Sequence, residues 1–441
     1  MRERNVKQDM RTVLYNARII PGPGFDGAIQ HGYVIVEGEN IVRIGEGDPD
    51  GESEETRINL RGRIVLPGFI NTHNHTPMIL LRGIGDDLPL QEWLEKKMWP
   101  LEAKYTSEIA YWGSLLAQVE MIKSGTTTFA DMYDNMDRVA EGVVESGLRA
   151  VLSRGIIGLC SREEQKRKLA EGVRFADEWN QTANGRIRTM ISPHSAYTCP
   201  EGFLREIVEK AREMNLPIHT HLSETKKEVE DLKKQTGKGT VYYLDELGLF
   251  DGPSLVAHAV HLEDGEISLL AEKNVKISHN LISNLKLGSG IMPLKKMKNH
   301  RLTISLGTDS AASNNSLDLF EEMRGVALLH KGVEEDPTLV TAEEAFGMAT
   351  MEGAKALFWE EEIGSLAPGK KADLIVVNIN QSHFTPSRHF LSHLVYAARG
   401  GDVLHMMVNG RWLMWNREIL TMDEERILYE AERAFDKLLA M

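Results

Sequence analysis

The sequence predicts an α/β fold: a (β/α)8 TIM barrel carrying a small β-sandwich domain that is formed from both chain termini. Three observations predict it. Between residue 64 and about residue 365, short apolar runs alternate with amphipathic helical patterns, and eight such units fit the stretch. Runs rich in β-branched residues precede and follow it. Each of the eight inner runs ends in an ionisable or metal-capable residue, and barrels of this kind build their sites at the C-terminal strand ends.

In chain order, Thr12–Ile20, Gly32–Glu37 and Asn40–Gly45 read as strands, with Gly38-Glu39-Asn40 as a hairpin turn. The segment Gly22–Gly27 matches G-x-G-x-x-G formally. It contains Pro23 and no helix pattern follows, so it reads as a loop and not as a dinucleotide site. Ile64-Val65-Leu66 with Phe69-Ile70 reads as one buried strand that runs out at His73 and His75. Further strands are expected to end near Asp131, Arg154, His194, His221, His258, His279 and Asp309. Helices are expected over Ser107–Lys123, Glu201–Met214 and Asp318–His330, from apolar residues at helical spacing. After residue 365 the β pattern returns in Ala372–Asn378, Val403–Val408 and Arg411–Trp415, with Asn409-Gly410 as a hairpin turn. Thr421–Glu424 reads as the cap of a final amphipathic helix. The expected domains are 1–66 with 366–441, a composite β-sandwich with a C-terminal helix, and 67–365, the barrel.

Composition narrows the classes. Of 441 residues, 65 are acidic and 51 basic, a net charge of −14, which argues against a nucleic-acid partner. No run of about 18 apolar residues is present, so no membrane span is expected. The first residues are charged without an apolar core, so no signal peptide is expected. Two cysteines, Cys160 and Cys199, make no disulfide framework and fit a reducing cytoplasm. A homo-oligomer is compatible with all of this.

Histidine is the informative residue type. Eight of the 15 fall between His73 and His279, most of them after a short apolar run. His73 and His75 are spaced i, i+2, which puts both imidazoles on one side of a strand end, and such a pair suits zinc. His219 and His221 stand at the fifth strand, with Glu224 three residues past His221, placed to act as a general base. Asp309 offers a carboxylate at the eighth. Three neutral histidines and one aspartate hold a zinc and leave room for water.

The segments Pro67–His75, His219–Thr225, Val256–Leu262, Ser278–Gly290 and Gly307–Asn315 together resemble the amidohydrolase superfamily. Gly364–Ile375 is similar to that superfamily's return to its β-sandwich. The branch resembled is the 5-methylthioadenosine/S-adenosylhomocysteine deaminases, relatives of the triazine chlorohydrolases. The resemblance implies one divalent metal per subunit, Zn2+ with Fe2+ as the alternative, on His73, His75, His221 and Asp309. It implies hydrolytic deamination of an adenine nucleoside by a metal-bound hydroxide. In that scheme Glu224 passes a proton from the water to the ring, Asp309 handles the hydroxide proton and His258 orients the water. Trp93, Glu102, Arg154 and His194 would contact the nucleoside, with Glu102 accepting from the ribose hydroxyls. The branch grips a homocysteine carboxylate with an arginine after the third strand, and no single residue of 161–167 matches it here. His219, His261 and His279 are expected to be structural, Asp131 to act behind the site, and Met98 and Trp99 to pack the loop that follows the first strand, Met78 to Leu101. The alternative reading is a deaminase of a free base (guanine, cytosine) or a triazine hydrolase on the same barrel. No P-C-x-x-C zinc-deaminase motif and no G-x-S-x-G elbow occurs.

Overall fold

The structure is a computed structural model that describes residues 11–24, 28–51 and 55–441. The charged start of the chain and residues 25–27 of the Gly22–Gly27 loop lie outside the described residues. Eighteen strands occur among the described residues. They are β1 (Thr12–Ile19), β2 (Ile29–Glu37), β3 (Asn40–Glu46), β4 (Thr56–Asn59), β5 (Ile64–Pro67), β6 (Phe69–Asn74), β7 (Thr126–Tyr133), β8 (Arg149–Ile156) and β9 (Ile187–Thr189). Then come β10 (Ser192–Pro193), β11 (Ile218–Leu222), β12 (Ser254–His258), β13 (Lys276–His279), β14 (Ile304–Leu306), β15 (Leu374–Val377), β16 (Val403–Val408), β17 (Arg411–Trp415) and β18 (Glu418–Ile419).

The strands β6 to β14 form the barrel. They pair in parallel within two sheets, β10-β8-β7-β6, with β9 also on β8, and β11-β12-β13-β14. Isolated parallel bridges Ile191↔Ile218 and Ser195↔His221 join the sheets on one side. On the other side Asp309 N donates to His73 O (3.0 Å) and the Thr72 hydroxyl donates to Leu306 O (2.9 Å). The lower barrel is closed by an apolar cluster that includes Ile70, Ala130, Val151, Leu255 and the fully buried Trp359. Buried histidines and acids gather at the opposite, C-terminal strand ends. That segregation is what fixes which end carries chemistry.

The nine remaining strands, β1–β5 and β15–β18, form one mixed sheet from both ends of the chain. In the Asn409-Gly410 turn both residues have positive φ, 50° and 72°, as a two-residue hairpin requires. One expectation is corrected here. The apolar run 64–70 is not one strand: it divides at Gly68, with β5 pairing β15 and β6 pairing β7. Gly68 is required at the division, because a Cβ there would lie 2.1 Å from the Thr127 side chain. A buried ion pair binds barrel to sheet, Arg149 Nε donating to Asp373 Oδ2 (2.7 Å) and Asn409 N to Asp373 Oδ1 (2.8 Å).

The expected helices form as Ser107–Ser124, Glu201–Met214 and Leu319–Glu334. The first is capped by Thr106, whose hydroxyl accepts from Ile109 N. The last helix, Glu424–Ala440, is capped by Asp423, and Thr421 instead donates to Ser146 O. The span after β6, expected as a loop, is largely helical over 90–102, with one π turn at Leu94–Met98. No helix among the described residues is long and apolar enough to cross a membrane.

Candidate metal centre and cavity

Three strand ends bring four residues together at the barrel mouth. His73 lies near the end of β6 and His75 just beyond it, His221 in β11, and Asp309 three residues past β14. Each histidine is held by its Nδ1. His73 Nδ1 meets His219 Nε2 at 3.0 Å, His75 Nδ1 donates to Met132 O, and His221 Nδ1 donates to His194 O at 2.7 Å. All three Nε2 atoms therefore turn to one point. His75 Nε2 and His221 Nε2 are 3.3 Å apart, and Asp309 Oδ1 lies 3.3 Å from His75 Nε2 and 3.6 Å from His73 Nε2.

These atoms fit a divalent metal. Ligands at the usual Zn–N distance around a tetrahedral ion are about 3.3 Å from one another. His73 Nε2 is buried and has no hydrogen-bond partner among the described residues, an arrangement that is costly unless something else binds it. Burial, then repulsion from neighbouring histidines, holds His73 and His221 well below the usual imidazole range, so both stay neutral as metal ligands must. Burial pushes Asp309 up, but His75, His258 and the Ser283 and Ser313 hydroxyls outweigh it, and the net is a lowered carboxyl. Both hydroxyls donate to Oδ2, at 2.6 and 2.9 Å, which leaves Oδ1 to the histidines.

Glu224 and His258 stand beside the donors. His258 Nδ1 donates to Asn284 Oδ1 (2.8 Å), which leaves Nε2 facing the cavity, 3.6 Å from Glu224 Oε2. Ser289 Oγ donates to Glu224 Oε1 at 3.3 Å. Burial first, and then Asp309, push the Glu224 carboxyl up to about 8.

A cavity of about 550 Å³ opens above this floor, walled by Trp93, Glu102, Tyr133, His194 and Tyr197 among others. Tyr133 OH donates to Glu102 Oε1 at 2.7 Å, and burial raises the Glu102 carboxyl. His194 Nδ1 faces the Thr198 hydroxyl at 3.1 Å, so its Nε2 is the atom left for a ligand. Trp93, Glu102 and His194 thus share the cavity with Glu224, His258 and Asp309. Arg154 does not line it. Its guanidinium lies at the rim, paired with Asp134 (2.8 Å) and Glu171 (3.1 Å). In the segment after the third strand, Arg162 and Arg167 pair with Glu206 and Glu171, whereas Lys168 reaches the cavity wall.

Several contributors were not read from the sequence. Tyr133 extends β7 two residues past Asp131, and Trp99, expected to pack the loop, lines the cavity, while Met98 packs. Asn284 and Ser289 lie inside the Ser278–Gly290 segment, whose polar residues after a buried strand were the available signal. Asp131 accepts from Thr76 N and Oγ1 behind His75, His261 Nε2 donates to Ser289 O, and His279 pairs with His330 (3.0 Å).

Comparison with known proteins agrees with this architecture. The sequence pattern of the Amidohydrolase family matches residues 64–413. A 5-methylthioadenosine/S-adenosylhomocysteine deaminase from Dictyoglomus turgidum is 52% identical over 404 residues, 91% of this chain and 94% of that protein. A 5'-deoxyadenosine deaminase from Methanosarcina acetivorans is 46% identical over 428 residues, 97% of this chain and 98% of that protein. A solved adenosine deaminase from Xanthomonas campestris with bound zinc superposes with a TM-score of 0.91 at 31% identity, covering 98% of this chain and 99% of that one.

Proposed function

Because the chain belongs to the amidohydrolase family, we propose that its site hydrolyses the amino group from the adenine ring of a nucleoside. The substrate is 5'-methylthioadenosine, S-adenosylhomocysteine or adenosine, and the products are the inosine analogue and ammonia. The observation that carries this reading is Glu224: a buried carboxyl, pushed up to about 8, set beside His258 on the floor of a cavity that also presents metal donors.

In this reading His73, His75, His221 and Asp309 would hold one zinc per subunit, which when bound would supply a water of pKa about 7 and so a nucleophile at neutral pH. Glu224 does the proton work. Its carboxyl gains and loses a proton near neutral pH, so it can accept one from the water and give it to the ring nitrogen. Protonating the ring as the water attacks avoids a ring anion. His258 Nε2 orients the water and faces the charge that develops at the tetrahedral carbon. Asp309, its Oδ2 held by two serine hydroxyls, takes the water's second proton and passes it to the amino group, which leaves as ammonia while the ring carbon keeps the oxygen. Trp93 packs the base, Glu102 accepts from the ribose hydroxyls, and His194 Nε2 meets the sugar. Arg154 reaches the 5' tail if its rim pairs part, and Lys168 is the cation placed for an anionic 5' substituent.

Two expected results concern the surroundings of the site. His219→Ala removes the partner of His73 Nδ1 and weakens zinc retention roughly 10- to 100-fold, read by competition with a chromogenic chelator; unchanged retention removes His219 from the site. Glu102→Ala raises KM for a nucleoside roughly 10- to 100-fold, the worth of a charged hydrogen bond, with zinc content unchanged. A free base has no ribose, so its KM should not move, and an equal rise for both contradicts the ribose assignment.

The substrate class is tested by offering zinc-loaded protein a panel of adenine nucleosides, guanine, cytosine and a chloro-triazine, and measuring ammonia or chloride. Ammonia from the nucleosides is expected. Its absence from all of them would sink this reading.

A further inference from the structure

The turn that delivers Glu224 is held from behind by a second carboxyl. Strand β11 ends at Leu222, and Ser223 takes a φ of 48° before Thr225 caps the helix Lys226–Thr236. A non-glycine residue at positive φ persists where its surroundings hold it. Ser223 O accepts from Val260 N (3.1 Å) and His261 N (3.0 Å). On the other side of the peptide, Glu224 N donates to Glu228 Oε2 at 3.1 Å.

Glu228 lies in the first turn of that helix and is buried, outside the cavity wall. Its other oxygen, Oε1, has no hydrogen-bond partner among the described residues. Such a group is costly to bury. Helix capping does not require it, because the Thr225 hydroxyl already accepts from Glu228 N at 3.2 Å. Burial, then the neighbouring Glu224, push the Glu228 carboxyl up to about 7, so a neutral side chain with the same oxygen is a fair mimic.

We propose that Glu228 is a positioning residue: by accepting the Glu224 N–H, it fixes the peptide from which the proton-carrying carboxyl hangs, and with it that carboxyl's place beside His258 and Ser289. The proposal rests on the role given to Glu224 above. Thr225-x-x-Glu228 reads in sequence as a capping box. In the structure the glutamate reaches past the cap to the residue before it.

Two near-isosteric variants test it. Glu228→Gln keeps an acceptor oxygen, and Glu228→Met keeps length and volume without one. A misplacement of about 1 Å can cost roughly 100-fold. Glu228→Met should therefore lower kcat roughly 10- to 100-fold, with KM within about twofold and full zinc content, while Glu228→Gln stays within about threefold of wild type. Wild-type kcat in Glu228→Met, or an equal loss in both variants, overturns the proposal. The rates are compared on whichever substrate the wild type turns over, so failure of the nucleoside reading is seen in the wild type alone. Crystal structures of the two variants give a substrate-free reading. The Glu224 carboxyl should leave Ser289 and His258 in Glu228→Met and stay in Glu228→Gln, and an undisplaced carboxyl in Glu228→Met overturns the proposal.

Discussion

Glu224→Gln is expected to keep its zinc and lose about three orders of magnitude in kcat. The substitution changes little in shape. The amide oxygen of the new side chain can still accept from Ser289 Oγ, and the backbone bond to Glu228 is untouched. The carboxyl's partners are Ser289 and His258, and the change removes no hydrogen bond of the four metal donors. What disappears is a group that can take a proton and pass it on, which is worth roughly 10²- to 10⁴-fold when the transfer belongs to the rate-limiting step. Substrate affinity should hold or improve, because a buried carboxyl becomes a neutral amide. The measurement is kcat by ammonia release beside zinc by elemental analysis. A variant within about tenfold of wild type would show that the proton moves by another route.

The second large effect is at Asp309. Asp309→Asn should lose zinc and turnover together, because the carboxylate both faces the metal point through Oδ1 and holds the Ser283 and Ser313 hydroxyls through Oδ2. An asparagine retains the shape but brings no charge to balance a divalent ion, and its amide places N–H groups where an acceptor is needed. A four-donor zinc site is held by about 10 kcal/mol or more, so losing its single anionic donor should cost more than about 100-fold in affinity. Excess zinc should restore little activity, since the second proton acceptor is gone as well. Full zinc content in Asp309→Asn would contradict the ligand assignment. The contrast between the variants is informative: one keeps the metal without chemistry, the other loses both.

The residues that converge are those with a strong local signature. His73 and His75 announce themselves by their i, i+2 spacing after an apolar run, and His221, His258 and Asp309 by standing at the ends of short buried strands. That eight such ends face one way follows from barrel topology, which the alternation of strand and helix patterns already implies. Other features depend on contacts that no local pattern carries. The apolar run 64–70 looks continuous because both halves are buried, yet Gly68 hands the chain from one sheet to another. Tyr133 matters because the helical segment 90–102 brings Glu102 to it, and Asn284 because its helix turns back towards His258. Arg154 has the chemistry of a substrate contact, but the acids that engage it, Asp134 and Glu171, are neighbours only in space. Glu228 shows the limit from the other side: its sequence context describes a helix cap, and its backbone partner is one residue beyond it.

The most direct test is a zinc titration of the metal-stripped protein, with ammonia release from 5'-methylthioadenosine followed at each point. The site as built predicts that turnover rises from zero in proportion to bound zinc and levels off at one ion per chain. Turnover in the metal-free protein, or a plateau reached only at two ions per chain, would contradict it.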